Sequence, residues 1–284
     1  MGLLSGLESL GLGKMKEEEL YEKEAPKNPE TGVPVAPQKS ESDVLLDRTF
    51  KCVVCGKEFQ SKTIKAGKNK LVKQELDLRA TYDMADAVKY DPIVCPHCGY
   101  ATLTRFIKQP LPSAMEKLVR EKICANFKGL PQTGEIYSYD DAILRYKLVL
   151  ASTVAKCGKD SEKAYVCLKM GWAIRGKAES LPEDTPNKEA VLKQLKAEEL
   201  ECLKNAYEGF NSAFSKEAFP MCGMDENTVM YLCAELARRI GKLDEAARLA
   251  SSIITSRSAG ERMKDRAREV KELIKKQKEA AAEK

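Results

Sequence analysis

The chain has 284 residues, 43% hydrophobic and 32% charged, a balance ordinary for a soluble globular protein of one or two domains. Its 48 basic and 43 acidic residues leave a formal charge of +5, too even to imply a polyanion partner by itself. No apolar run approaches the roughly 20 residues needed to cross a bilayer. The first residues lack a basic leader and carry Gly6 where N-myristoylation wants Ser or Thr, so no membrane attachment is expected and the expected location is the cytoplasm.

Residues 1–45 read as a weakly ordered segment and linker. Leu3, Leu4, Leu7, Leu10 and Leu12 could line one face of a short helix, but glycines interrupt it and Pro26, Pro29, Pro34 and Pro37 follow. Residues 46–109 change character. Val72, Leu76 and Leu78 alternate with Gln74 as in a half-exposed strand, and short β-prone pieces flank two cysteine pairs.

Those pairs are Cys52-Val53-Val54-Cys55-Gly56 and Cys95-Pro96-His97-Cys98-Gly99, separated by 39 residues. Two residues between thiolates let both sulfurs of a tight turn face one ion, and the following glycine permits the left-handed backbone the turn requires. Two such knuckles predict a closed Cys₄ site for one structural Zn²⁺, with iron as the alternative ion. A catalytic zinc would keep an open position, and the sole histidine, His97, is placed to face away from the metal. Without an export signal, the other six cysteines (Cys124, Cys157, Cys167, Cys202, Cys222 and Cys233) read as small buried apolar side chains rather than disulfide partners. Lys62, Lys65, Lys68, Lys70 and Lys73 make the module basic and raise nucleic acid as an alternative partner.

From Pro110 the hydrophobic period becomes helical. Ser138 with Asp141 predicts a capped start, and further helices are expected over 161–176, 187–216, 226–241, 244–257 and 259–282, the last highly charged and solvated. Ala206, Phe210 and Ala213 follow the spacing of a tetratricopeptide B helix, Met170-Gly171 that of an A helix, and 231–254 a second, looser unit. The expected fold is therefore mainly α with a small β zinc ribbon. It comprises an N-terminal Cys₄ zinc-ribbon-like module over 46–109, a tetratricopeptide-like α-helical array over 110–258, and a charged helix over 259–284.

From about Leu46 to Arg257 the chain resembles a bacterial family named only as a domain of unknown function, family 2225. The resemblance rests on Cys52-x-x-Cys55-Gly56-Lys57-x-Phe59, Asp77-Leu78-Arg79, Cys95-Pro96-His97-Cys98-Gly99-Tyr100, Trp172-x-x-Arg175 and the stretch from Tyr231 to Gly241. It implies a zinc ribbon followed by tetratricopeptide-like helices and adds no substrate. Phosphate loops, nucleophile elbows and paired-carboxylate motifs are missing, so no catalysis is expected. The expected role is a cytosolic adaptor that holds a protein or peptide in a helical groove. Arg175, Arg238 and Arg239 are its candidate contacts, on the inner helices, for an acidic or C-terminal segment.

Overall fold

In the computed structural model, residues 40–282 are described; the leucine stripe and the proline-rich stretch lie outside them. Six short strands come first. They pair in chain order as three separate antiparallel hairpins: β1 (Leu45–Lys51) with β2 (Glu58–Ile64), β3 (Leu71–Gln74) with β4 (Ala80–Tyr82), and β5 (Pro92–Val94) with β6 (Ala101–Leu103). The first and third hairpins share one design, a cysteine knuckle between two strands. A 3₁₀ turn over Glu41–Val44 precedes β1, and Val44 is buried.

The middle hairpin departs from expectation. Strand β3 ends at Gln74 with all four residues exposed, and Leu78 sits in the connecting loop at φ 70°. The alternation through Leu76 and Leu78 is thus a loop rather than a strand. What turns inward from this loop is its charge: Asp77 is fully buried.

Seven α-helices follow: α1 (Ser113–Val119), α2 (Tyr139–Ala155), α3 (Asp160–Glu179), α4 (Lys188–Phe214), α5 (Glu226–Arg239), α6 (Leu243–Thr255) and α7 (Glu261–Ala282). Helix α1 runs into one π turn over Arg120–Cys124, closed by Ala125 N donating to the Arg120 carbonyl at 3.0 Å. Ser138 caps α2 as expected: its hydroxyl accepts from Asp141 N at 3.1 Å, and Asp141 Oδ2 accepts from Ser138 N at 2.9 Å.

Helix α3 packs on α4, α5 on α6, and α6 on α7, while α2 lies between α3 and the third hairpin. Small residues set the close approach. A Cβ on Gly209 would lie 2.8 Å from the Ala164 Cβ, closer than packed carbons come. Ala234, Ala246 and Ala250 are fully buried where α5 meets α6. Helix α7 is not simply solvated, since Ala267, Val270 and Ile274 form a buried stripe against α5 and α6.

The main core joins the third hairpin to the helices, placing Val94, Ala101 and Leu103 with Tyr146, Val149 and Leu168. Tyr146 Oη donates to the Val88 carbonyl at 2.8 Å, and Ala101 N donates to Ser152 Oγ at 3.1 Å. A second core surrounds the knuckles and draws in Val119, Ile123 and Cys124 from α1 and the π turn.

Candidate metal centre and the acidic hairpin

The two knuckles are built alike. In the first, Gly56 N donates to the Cys52 carbonyl at 3.0 Å and Cys52 N to the Lys57 carbonyl at 2.9 Å; in the second, Gly99 N donates to the Cys95 carbonyl and Cys95 N to the Tyr100 carbonyl, each at 2.9 Å. Gly56 at φ +74° and Gly99 at φ +76° supply the left-handed step.

This brings the Sγ atoms of Cys52, Cys55, Cys95 and Cys98 within 4.8 Å of one another. Cys52 and Cys98 are 3.6 Å apart, and Cys55 and Cys95 are 3.7 Å apart. A tetrahedron with metal–sulfur bonds of about 2.3 Å has edges of about 3.8 Å, so the four sulfurs fit one tetrahedral ion. Four thiolates this close repel without a cation. Accordingly, hydrogen bonds from the Cys95 and Cys98 thiols pull the Cys52 pKa far down, while sharing that one charge pushes Cys95 and Cys98 up. A bound divalent ion would stabilise all four as thiolates. His97 is exposed, and its Nε2 meets the Glu58 carbonyl at 3.1 Å, which ties the second knuckle to β2.

Among the remaining cysteines, Cys167, Cys202 and Cys233 are buried within helices, as expected. Cys157 is exposed just past α2 at φ 53°, and Cys222 sits at φ 47° in the turn before α5. Cys124 is a fifth thiol near the centre: it is half-buried and packs against the knuckle core. The winding of the π turn brings it there.

The structure places the three candidate arginines against the chain's own carboxylates. Arg175 is buried rather than free for a partner. Its Nη2 donates to Asp77 at 2.6 Å, its Nη1 to Glu75 at 2.5 Å and its Nε to Glu199 at 2.8 Å. Arg238 forks onto the fully buried Glu235 at 2.7 and 2.8 Å, and Arg239 Nε donates to the same carboxylate at 2.7 Å. Trp172 Nε1 donates to Asp77 at 3.1 Å, and Arg239 approaches Asp77 at 3.8 Å. An acidic segment does meet Arg175 and Arg239, but it is the chain's own β3–β4 loop, while Arg238 holds only Glu235 of its own helix. Burial alone would push the Asp77 carboxyl up; the Arg175 guanidinium beside it reverses the balance and holds it low.

Arg79, at the other end of that loop, is also buried and pairs with Glu179 at 2.8 Å and Asp86 at 3.2 Å. Along the chain Asp77-Leu78-Arg79 and Trp172-x-x-Arg175 are separate motifs. Nothing in their spacing shows that residues 98 positions apart form one network.

The five lysines divide. Lys62 pairs with Asp47 at 3.4 Å, and Lys65 Nζ donates to the Asp43 carbonyl at 2.8 Å. Lys68, Lys70 and Lys73 stay exposed around β3, next to the exposed Leu71 and Val72.

Beyond the hairpin a groove of about 1130 Å³ separates α3, α5 and the start of α7 from β1, β2 and β4. Tyr165, Lys169 and Trp172 line it from α3, Leu232 from α5, Arg262 and Arg266 from α7, and Arg48 and Tyr82 from the strands.

A family of bacterial proteins, described as "Uncharacterized protein conserved in bacteria" (DUF2225), matches residues 45–274. The chain belongs to this family. The match runs from β1 into α7, so it takes in both knuckles, the acidic hairpin and the groove. No curated protein and no solved structure shows a significant match. Among the described residues no helix is long and apolar enough to cross a membrane.

Proposed function

We propose that this DUF2225 protein is a non-catalytic cytoplasmic adaptor: one structural zinc ion holds the hairpins in place, and the tetratricopeptide-like helices offer a groove to a protein segment. The all-sulfur, tetrahedral set accepts zinc or iron, and a closed Cys₄ site with no position left for substrate matches the usual form of structural zinc. The observation that carries the reading is the groove itself. Alternate helices α3, α5 and α7 line it, as the inner helices of stacked pairs do in helical-repeat proteins. Its volume exceeds the roughly 300–1,000 Å³ of a small-molecule site. Cys222 on its wall favours binding over catalysis, since burial pushes that thiol up to about 11 and its Sγ is turned to the Ser161 carbonyl at 3.4 Å.

A photo-cross-linking amino acid at position 82 or 263 tests this in the bacterium, with position 193 on the exposed side of α4 as the control. Both groove positions are expected to trap the same discrete protein, and position 193 is not. Equal cross-linking from all three positions, or none from the groove, would overturn the adaptor reading.

A further inference from the structure

The groove's charge is far from that of the whole chain. Overall, 48 basic residues face 43 acidic ones. In the groove five cations, Arg48, Arg105, Lys169, Arg262 and Arg266, face the single carboxylate of Asp91. Lys169 pairs with Asp91 at 2.6 Å, which leaves four surplus charges, all of them guanidinium. Among the described residues none of these four arginines has a carboxylate within salt-bridge distance; Arg266 donates to Gln74 Oε1 at 2.8 Å and Arg105 to the Cys222 carbonyl. Guanidinium forks match carboxylates two oxygens at a time. Between them the walls are apolar, with Leu46, Ile64, Leu168, Leu232 and Met263.

The chain also shows what this helical face accepts. The same helices that line the groove, α3 and α5, hold Glu75 and Asp77 of the β3–β4 loop through Arg175 and Arg239. An acidic stretch of backbone therefore already lies at one end of the groove.

We infer that the rest of the groove binds an extended partner segment in which acidic and apolar side chains alternate, continuing the chemistry of the β3–β4 loop. This rests on the adaptor reading and names its partner class. Nucleic acid fits less well, because base stacking needs several open aromatic faces and, among the groove's rings, Tyr82 alone is neither buried nor set against a cation. The Tyr165 ring is covered by Arg105 at 5.1 Å and Lys169 at 5.2 Å, and the Trp172 ring by Lys169 at 5.8 Å. Tyr90 is buried with its hydroxyl bound to Glu41 at 2.7 Å.

The experiment measures fluorescence anisotropy of the full-length, metal-loaded protein with four labelled probes: a peptide of alternating Glu and Leu, its Gln–Leu and Lys–Leu counterparts, and an oligothymidylate. The Glu–Leu peptide should bind at least tenfold more tightly than either other peptide, and added salt should weaken it. Arg262→Glu with Arg266→Glu should weaken that binding at least tenfold at unchanged metal content and helicity. Arg262 is exposed and Arg266 half-buried, so the double variant is expected to fold. No binding of the Glu–Leu peptide, equal binding of the Gln–Leu peptide, tighter binding of the oligothymidylate, or indifference to the charge reversal would each overturn the inference. A groove cross-link to a protein segment without acidic residues would sink it too, while leaving the adaptor reading standing; no groove cross-link at all would remove both.

Discussion

Asp77 is the buried charge through which the β3–β4 loop meets the helices. It is fully buried, accepts from Trp172 and Arg175, and lies near Arg239, so it links a strand loop to two helices. Asp77→Asn removes the charge while the guanidiniums stay in place, and breaking a buried ion pair in this way costs roughly 3–5 kcal/mol. The pH dependence has a definite sign. A carboxyl held below its usual value of about 3.9 contributes stability in full above that pH and loses it as pH falls through the lower, folded value. Urea unfolding at pH 7 should therefore separate wild type from Asp77→Asn widely, and the gap should narrow below about pH 4. A gap that does not change with pH would mean that the Asp77 charge is not what the arginines hold. For the same reason Arg175→Ala should destabilise the protein rather than silently remove a partner contact. That revises what a helix-surface position for Arg175 would lead one to expect.

At the scale of elements, the two knuckles offer a matched comparison. Both glycines sit at positive φ, where a Cβ costs about 1–2 kcal/mol. Space differs: a Cβ on Gly56 would meet nothing within 4 Å, whereas one on Gly99 would lie 2.5 Å from the Phe127 ring. Gly56→Ala is expected to show only the backbone cost, and Gly99→Ala that cost plus displacement of Phe127 from the second knuckle. Thermal unfolding of the metal-loaded protein should rank Gly99→Ala as the less stable; the reverse order would mean that Phe127 moves aside freely. The helices were the elements most readable in advance. Ser138 with Asp141 marked the start of α2, and the apolar period located α3 to α7 to within a few residues. The β3 alternation misled because Leu76 and Leu78 keep a period of two in a loop, where the pull of Asp77 on Arg175 decides the path.

At the scale of the molecule, the knuckle module and the helices share a core. Strands β5 and β6, on either side of the second knuckle, pack on α2, and β4 lines the groove opposite α3. Chelation is therefore expected to do more than release the knuckles. Hydrogen exchange should show lost protection over β1, β2, β5 and β6 and also in α2, with one zinc per chain lost by elemental analysis. Binding of structural zinc in small modules is worth on the order of 10 kcal/mol, enough to make that loss visible. Protection loss confined to residues 46–109 would mean that the shared core does not transmit the change. Sequence alone determined the cluster of four cysteines and the helical array, because paired knuckles and amphipathic helices are local patterns: Cys-x-x-Cys-Gly and a period of 3.6 are written within a few residues. Only the tertiary structure decided that Arg175 and Arg239 take the chain's own Asp77, that Cys124 packs against the knuckle core, and that the surplus arginines gather in one groove. Each of these depends on which distant segments meet, and charge–charge contact leaves no periodic trace along the chain.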